Sequence, residues 1–292
     1  ENDKNHVPII ADPAIVLDWP QNKWRDKGFE FFAWDQFPSV LIFDFADYAV
    51  QDDFLKRLAF YVEKNGYTGH LWTTKELEGL QSFTAQDYKA ESLAEFFTQA
   101  YDENFALNES ELLLKDILLE NGIIVHNPNG VTEYIPGEGA IISIARESAD
   151  YLRRILLTHE ALHGIYFTHE IFRDKVTEVY NATHPTAVSF LRRYFEVTPS
   201  LNYDTDDAYL MQNEYMAYIL QYSPYAVESY YADTLVNRYY IAAREPELCN
   251  YVRQTRASDF VTAAFDLSNF LFEQWGLYGG RVHTLSITRN AN

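Results

Sequence analysis

The chain has 292 residues, of which 47% are hydrophobic, so it can bury a sizeable core in one large domain or two ordinary ones. Its formal net charge of −20 would repel a nucleic-acid duplex, which argues against nucleic-acid binding. Cys249 is the only cysteine, which excludes an intramolecular disulfide and a cysteine-based zinc site.

The front of the chain predicts a small α/β region. Residues 1–37 contain three prolines, with a fourth at Pro38, and read as irregular, and the apolar run at 40–45 predicts a strand. Helical periodicity over 51–65 is followed by Gly66, and residues 70–73 predict a second strand. Together these segments resemble a β-α-β unit, which we place in an N-terminal region of residues 1–105.

The rest of the chain, residues 106–292, is expected to form one further domain. Helical patterns cover about 84–105 and 109–119, and apolar runs at 123–126 and 140–145 predict strands. An apolar helix follows through residues 151–163, and the chain then reads as helical to about residue 273. We therefore expect an α+β fold in which a small mixed sheet, including 123–126 and 140–145, packs on that apolar helix.

A five-residue motif within this helix contains candidate metal ligands and a candidate general base: His159-Glu160-Ala161-Leu162-His163. Residues four apart lie about 40° apart around a helix, so the two imidazoles project from one face. Both can reach one Zn²⁺ ion at about 2.0–2.1 Å. Glu160 lies beside the first ligand and is the candidate general base and acid for a water activated by that ion.

Three candidates remain for the third ligand. Glu214 lies in a second helical segment, within Gln212-Asn213-Glu214-Tyr215-Met216-Ala217-Tyr218. His169 follows His163 at the metzincin spacing, HExxHxxGxxH, but Tyr166 occupies the position of the helix-breaking glycine. Another carboxylate, such as Glu170, is the third alternative. We favour Glu214.

The segments His159–His163 and 213–218 resemble gluzincin metallopeptidases, the thermolysin-like group of zincins, over a small fraction of the chain. This resemblance implies a zincin-like catalytic core and one catalytic zinc ion held by His159, His163 and Glu214. One position departs from the family pattern. Tyr218 stands where that group has a carboxylate that orients the first histidine, so another residue must support His159 or Tyr218 faces the substrate.

Further candidates are assigned from their chemistry and position. Asp206 and Asp207 are possible supports for His159. Tyr218, one turn after Glu214, is a candidate donor to a developing oxyanion. A second candidate donor is His283, which lies in the glycine-containing segment Leu277-Tyr278-Gly279-Gly280-Arg281-Val282-His283.

The sequence thus predicts a zinc-dependent peptidase acting on peptides or proteins. The alternatives are a metzincin-like peptidase that uses His169, and a zincin-derived binding or scaffold protein without catalysis. No segment approaches the roughly 20 apolar residues of a membrane span. The chain opens with Glu1 rather than Met, and with its acidic composition we expect a secreted, periplasmic or cell-surface protein after removal of a signal.

Overall fold

The computed structural model describes residues 6–284, and the protein is α+β with a small mixed sheet, as predicted. The chain divides into two compact units, Glu1–Arg153 and Arg154–Asn292. This division falls later than the predicted boundary at 105/106. Residues 106–153 belong to the first unit because Leu114, Ile117 and Ile124 share its hydrophobic core.

The first unit alternates strands and helices. Its strands are β1 (Ile9–Ala11), β2 (Phe29–Trp34), β3 (Val40–Phe45), β4 (Gln86–Lys89), β5 (Ile124–His126), β6 (Tyr134–Pro136) and β7 (Ala140–Ala145). Its helices are α1 (Pro13–Asp18), α2 (Tyr48–Val62), α3 (Ala90–Asp102) and α4 (Glu109–Glu120), with a 3₁₀ turn at Gln21–Lys23. Side chains define the helix starts, as in α4, where Asn108 and Glu111 form a capping box.

Five strands form the main sheet in the order β1-β2-β3-β7-β4. Strands β1 and β2 are parallel, as are β3 and β7, whereas β2–β3 and β7–β4 pair antiparallel. Strand β7 is therefore paired on both sides, and the edge strands of this sheet are β1 and β4. Strands β5 and β6 form a separate two-stranded sheet, so the prediction that 123–126 joins 140–145 in one sheet was wrong.

One face of the main sheet carries the core of the first unit. Alternate residues of β2 and β3, such as Phe31 and Phe43, pack with apolar side chains of α2, α3 and α4. The rings of Phe31 and Phe43 stack with centroids 5.5 Å apart. Both strands are buried along their whole length, so their sequences lack the polar alternation of a half-exposed strand.

Two expectations for the front of the chain were wrong. Residues 70–73 form no strand, because Trp72 turns back to donate its indole N–H to the carbonyl of Tyr67 at 2.9 Å. Residues 6–37 contain regular structure, including β1 and β2, where an irregular segment was expected. The predicted β-α-β unit is therefore replaced by the β2–β3 antiparallel pair followed by α2.

The second unit is helical, as the sequence predicts. Helix α5 (Asp150–Thr168) begins in the first unit and continues into the second, where it is followed by α6 (Glu170–Ala182), α7 (Pro185–Val197), α8 (Ala208–Leu220), α9 (Pro224–Ser229), α10 (Tyr239–Arg244), α11 (Pro246–Gln254) and α12 (Ser258–Trp275). A π-helical segment covers Tyr230–Thr234 and a 3₁₀ turn covers Leu235–Asn237.

Helix α8 lies at the centre of this unit. Asp207 caps its first turn by accepting from the backbone N–H groups of Tyr209 and Leu210. The helix packs against α6, α9 and α12, and its residues from Leu210 to Leu220 are mostly buried. Any polar side chain on α8 therefore sits in an environment where it needs a polar partner. Among residues 6–284, no helix combines the length and apolar character that crossing a membrane requires.

Two glycines with positive φ, Gly130 between β5 and β6 and Gly139 just before β7, differ in how closely the surrounding backbone packs. At Gly139, φ is +133°, and a Cβ atom would lie 2.1 Å from the carbonyl oxygen of Ser39. At exposed Gly130, φ is +64°, but a Cβ atom would meet nothing within 4 Å. Substitution at Gly130 would therefore cause only backbone strain, whereas substitution at Gly139 would also cause overlap with a backbone atom.

We expect Gly139→Ala to destabilise the protein by about 2–4 kcal/mol, because strain and overlap with a backbone oxygen add together. The matched control, Gly130→Ala, should cost about 1 kcal/mol, since only its conformation is unfavourable. Urea unfolding measures both free energies. Equal losses for the two variants would contradict the close approach at Gly139.

Candidate metal centre

Two helices of the second unit supply a buried group that could hold a metal ion. Ligand atoms of His159 and His163, on α5, and Glu214, on α8, all lie within 4.8 Å of one another. The Nε2 atom of His159 is 3.7 Å from Oε2 of Glu214, and Nε2 of His163 is 3.8 Å from Oε1. All three side chains are buried. The structure therefore brings together the three residues that the sequence favoured.

The arrangement on α5 follows from its helical spacing. The rings of His159 and His163 have centroids 4.7 Å apart and are inclined by 74°, so both present nitrogens to the same space. Helix α5 continues through this motif without a break and buries Ala161 and Leu162 on its other sides. Ala161 and Leu162 thus hold the helix in the core, while the two histidines face the same space.

Glu160 lies next to this group. One of its carboxylate oxygens is within 4.8 Å of a ring nitrogen of His163, and the side chain is 4% exposed. It is three residues before His163, a spacing that places both on one side of the helix. The position suits a group that exchanges protons beside a metal ion.

His169, the alternative third ligand, is not part of the group. Helix α5 passes through Tyr166 without a break and ends at Thr168, and His169 then adopts an extended conformation as the N-cap of α6. Its Nδ1 atom lies 2.8 Å from the hydroxyl of Thr168, and its ring packs against Trp275. Burial lowers the pKa of His169 below its ordinary value. The glycine that lets the chain turn back in metzincins is missing here, which explains this difference.

Glu170, the remaining alternative, is an exposed residue in the first turn of α6. A carboxylate there lies near the positive end of the helix dipole, which is a common structural position. It does not belong to the group of His159, His163 and Glu214.

Tyr218 packs against the first histidine. Its ring meets that of His159 edge-on, with centroids 5.2 Å apart, and it is hydrogen-bonded to Tyr194. Burial raises the pKa of Tyr218 well above its ordinary value, so its hydroxyl stays protonated and neutral near pH 7. The side chain is thus neutral and packs on His159 through its ring, and its predicted catalytic role stays a prediction.

The residue that supports His159 was missed from the sequence. The Nδ1 atom of His159 lies 3.2 Å from Oε1 of Gln221, the C-cap residue of α8. Asp206 is instead fully exposed at its side chain, and Asp207 caps α8. Gln221 follows Glu214 by seven residues, two helical turns along the same face, and this spacing is the signal that could have identified it.

His283 lies near the end of the described chain. It is half-buried, and its backbone carbonyl accepts from Nε of Arg281 at 3.2 Å. It does not join the three-residue group, and its role as an oxyanion donor stays a prediction. Nearby Tyr278 stacks on Phe272 and is exposed.

Comparisons of the chain with protein-family models, with curated proteins and with solved structures found no match. The assignment of this centre therefore depends on the side chains themselves.

We expect Glu214→Ala to weaken metal binding by more than about 100-fold, because it removes a ligand rather than the support of one. His169→Ala and Glu170→Ala should leave the affinity within about two-fold, since neither belongs to the group. Competition against a chromophoric chelator measures all three constants. A loss of affinity in His169→Ala as large as in Glu214→Ala would contradict the assignment.

Proposed function

We propose that this protein is a zinc-dependent peptidase with a gluzincin-like centre. The observation that carries the proposal is the convergence of His159, His163 and Glu214 in a buried group, with Glu160 beside it. A zincin-like core around this group, and a secreted, periplasmic or cell-surface location, belong to the same proposal.

The donor set fits zinc. Two imidazole nitrogens and one carboxylate oxygen form a ligand set known from catalytic zinc sites, which keep a fourth position for water or substrate. Structural zinc sites take four protein ligands and usually include cysteine, whereas Cys249 lies in α11 outside the group. The chemistry of the donors therefore favours a catalytic ion over a structural one.

The separations also fit. Tetrahedral ligands about 2.0–2.1 Å from one ion are about 3.3–3.4 Å apart. The two histidine–glutamate separations of 3.7 and 3.8 Å are slightly wider. The two separations involve different oxygens of Glu214, so the carboxylate faces both histidines.

Each group of the centre has a different role in amide hydrolysis. When bound, zinc would supply a Lewis acid and a water of lowered pKa. Glu160 takes a proton from the attacking water and delivers it to the leaving amine. Tyr218 offers a neutral hydroxyl that can donate to the oxyanion as the carbonyl becomes tetrahedral. Burial strengthens each of these interactions, because little water competes for the same groups.

We expect Glu160→Gln to lower kcat by about 10²–10⁴-fold, because the amide cannot accept the proton. Its zinc affinity should stay near that of the native protein, since Glu160 is not a ligand. Asp150→Asn, at an exposed position on the same helix, is the control and should keep full activity. Digestion of a peptide library with mass-spectrometric detection measures cleavage. Equal cleavage by Glu160→Gln and the native protein would contradict the proposal.

Removal of the metal provides an independent test. We expect a chelator to abolish cleavage and stoichiometric zinc to restore it, whereas His163→Ala should not recover. A protein that binds zinc but cleaves no peptide would instead favour the binding or scaffold alternative.

A further inference from the structure

Gln221 connects the candidate metal centre to a network of neutral side chains. Its Oε1 atom lies 3.2 Å from Nδ1 of His159, and its Nε2 atom donates to the hydroxyl of Tyr230 at 3.4 Å. The residue is 9% exposed, so both interactions are largely shielded from water. One carboxamide thus fixes the far side of the first histidine.

This contact favours one position of the proton on the His159 imidazole. A metal bound at Nε2 requires the proton on Nδ1, and the carbonyl oxygen of Gln221 is the group that accepts it. Nε2 is the same atom that lies 3.7 Å from Glu214. Gln221 therefore favours both the tautomer and the ring orientation that metal binding needs.

The C-terminal glycines hold the turn that carries Gln221. The backbone N–H of Gly280 donates to the carbonyl of Leu220 at 2.7 Å, and the N–H of Gly279 donates to the hydroxyl of Ser268 at 3.0 Å. At Gly280, φ is +76°, and a Cβ atom would lie 2.4 Å from the backbone nitrogen of Ser223. Only glycine permits this approach, so the segment after α12 is pressed against the turn after α8.

We propose that Gln221 is a positioning residue that orients His159 for metal binding, and that the Gly279–Gly280 loop in turn positions Gln221. The inference rests on the proposed metal site and assigns part of its affinity to residues outside the ligand set. On this view, Gly279 and Gly280 affect the metal centre indirectly, because they hold the backbone of residues 220–223 in place.

The side chains on the far side of His159 are uncharged. Gln221 and Tyr230 are uncharged, and burial raises the pKa of Tyr230 so that its phenol stays neutral. A carboxylate at position 221 would keep the acceptor and add a negative charge near a cation. Gln221→Glu should therefore bind zinc as tightly as the native protein or more tightly.

The first test compares zinc affinities of the full-length variants, measured by competition with a chromophoric chelator. Gln221→Met keeps the size of the side chain and removes the acceptor, and we expect about 10–100-fold weaker binding. The control is Gln212→Met on α8, because Gln212 also accepts a partly buried side-chain hydrogen bond, from Thr177 at 2.8 Å. That variant should lose stability but keep its zinc affinity.

The second test substitutes a glycine of the Gly279–Gly280 loop instead of Gln221. Gly280→Ala should weaken zinc binding in the same direction as Gln221→Met, because the added methyl group displaces the turn at Ser223. Gly276→Ala is its control: φ is +69° there too, but a Cβ atom would meet nothing within 4 Å. It should reduce stability without changing zinc affinity.

The outcomes separate this inference from the proposed function. If the native protein binds no zinc, the proposed function fails and this inference fails with it. If the native protein binds zinc and Gln221→Met binds it within about two-fold, the inference is overturned while the proposed function stands. Weaker binding in Gln221→Met and Gly280→Ala, with native affinity in Gln221→Glu and both controls, would support it.

Discussion

The account depends on one constraint: two imidazoles and two carboxylates are buried close together inside a helical unit. His163 is fully buried, and Glu160 and Glu214 are 4% and 2% exposed. Burying such groups is costly unless partners compensate their charge and polarity. A divalent cation bound by His159, His163 and Glu214 would provide that compensation. The same burial would make the centre chemically effective, because charges interact strongly where water is scarce.

Within the second unit, the tyrosines and Gln221 next to the centre add polarity without adding charge. Burial raises the pKa values of Tyr194, Tyr218 and Tyr230, which keeps their phenols neutral. Gln221 contributes a neutral carboxamide beside His159. Within this unit, the carboxylates of Glu214 and Glu160 lie beside the histidines, and both would contribute negative charge near a bound metal.

The sequence predicted the features that depend on local spacing. Helical periodicity placed His159 and His163 on one face, and a short motif around Glu214 identified the other helix. It did not predict β2, because Phe29–Trp34 is buried on both faces and shows no alternation. Gln221 was missed because it contacts a histidine 62 residues away in the chain, from a position beyond the family pattern. The seven-residue spacing from Glu214 was the local signal for this contact.

The false strand at 70–73 has a related cause. His70 and Trp72 look like strand residues, yet their rings pack on one another and on the preceding turn. Propensity alone cannot distinguish aromatic packing within a turn from pairing in a sheet. Long-range pairing also decides the place of β5, which joins β6 rather than the main sheet.

Anomalous diffraction at the zinc absorption edge, from crystals of the full chain grown with zinc, tests the central claim most directly. The account predicts one peak bonded to Nε2 of His159, Nε2 of His163 and the Glu214 carboxylate, with a fourth position open to solvent. No peak at these residues, or a fourth protein side chain completing the coordination, would contradict it.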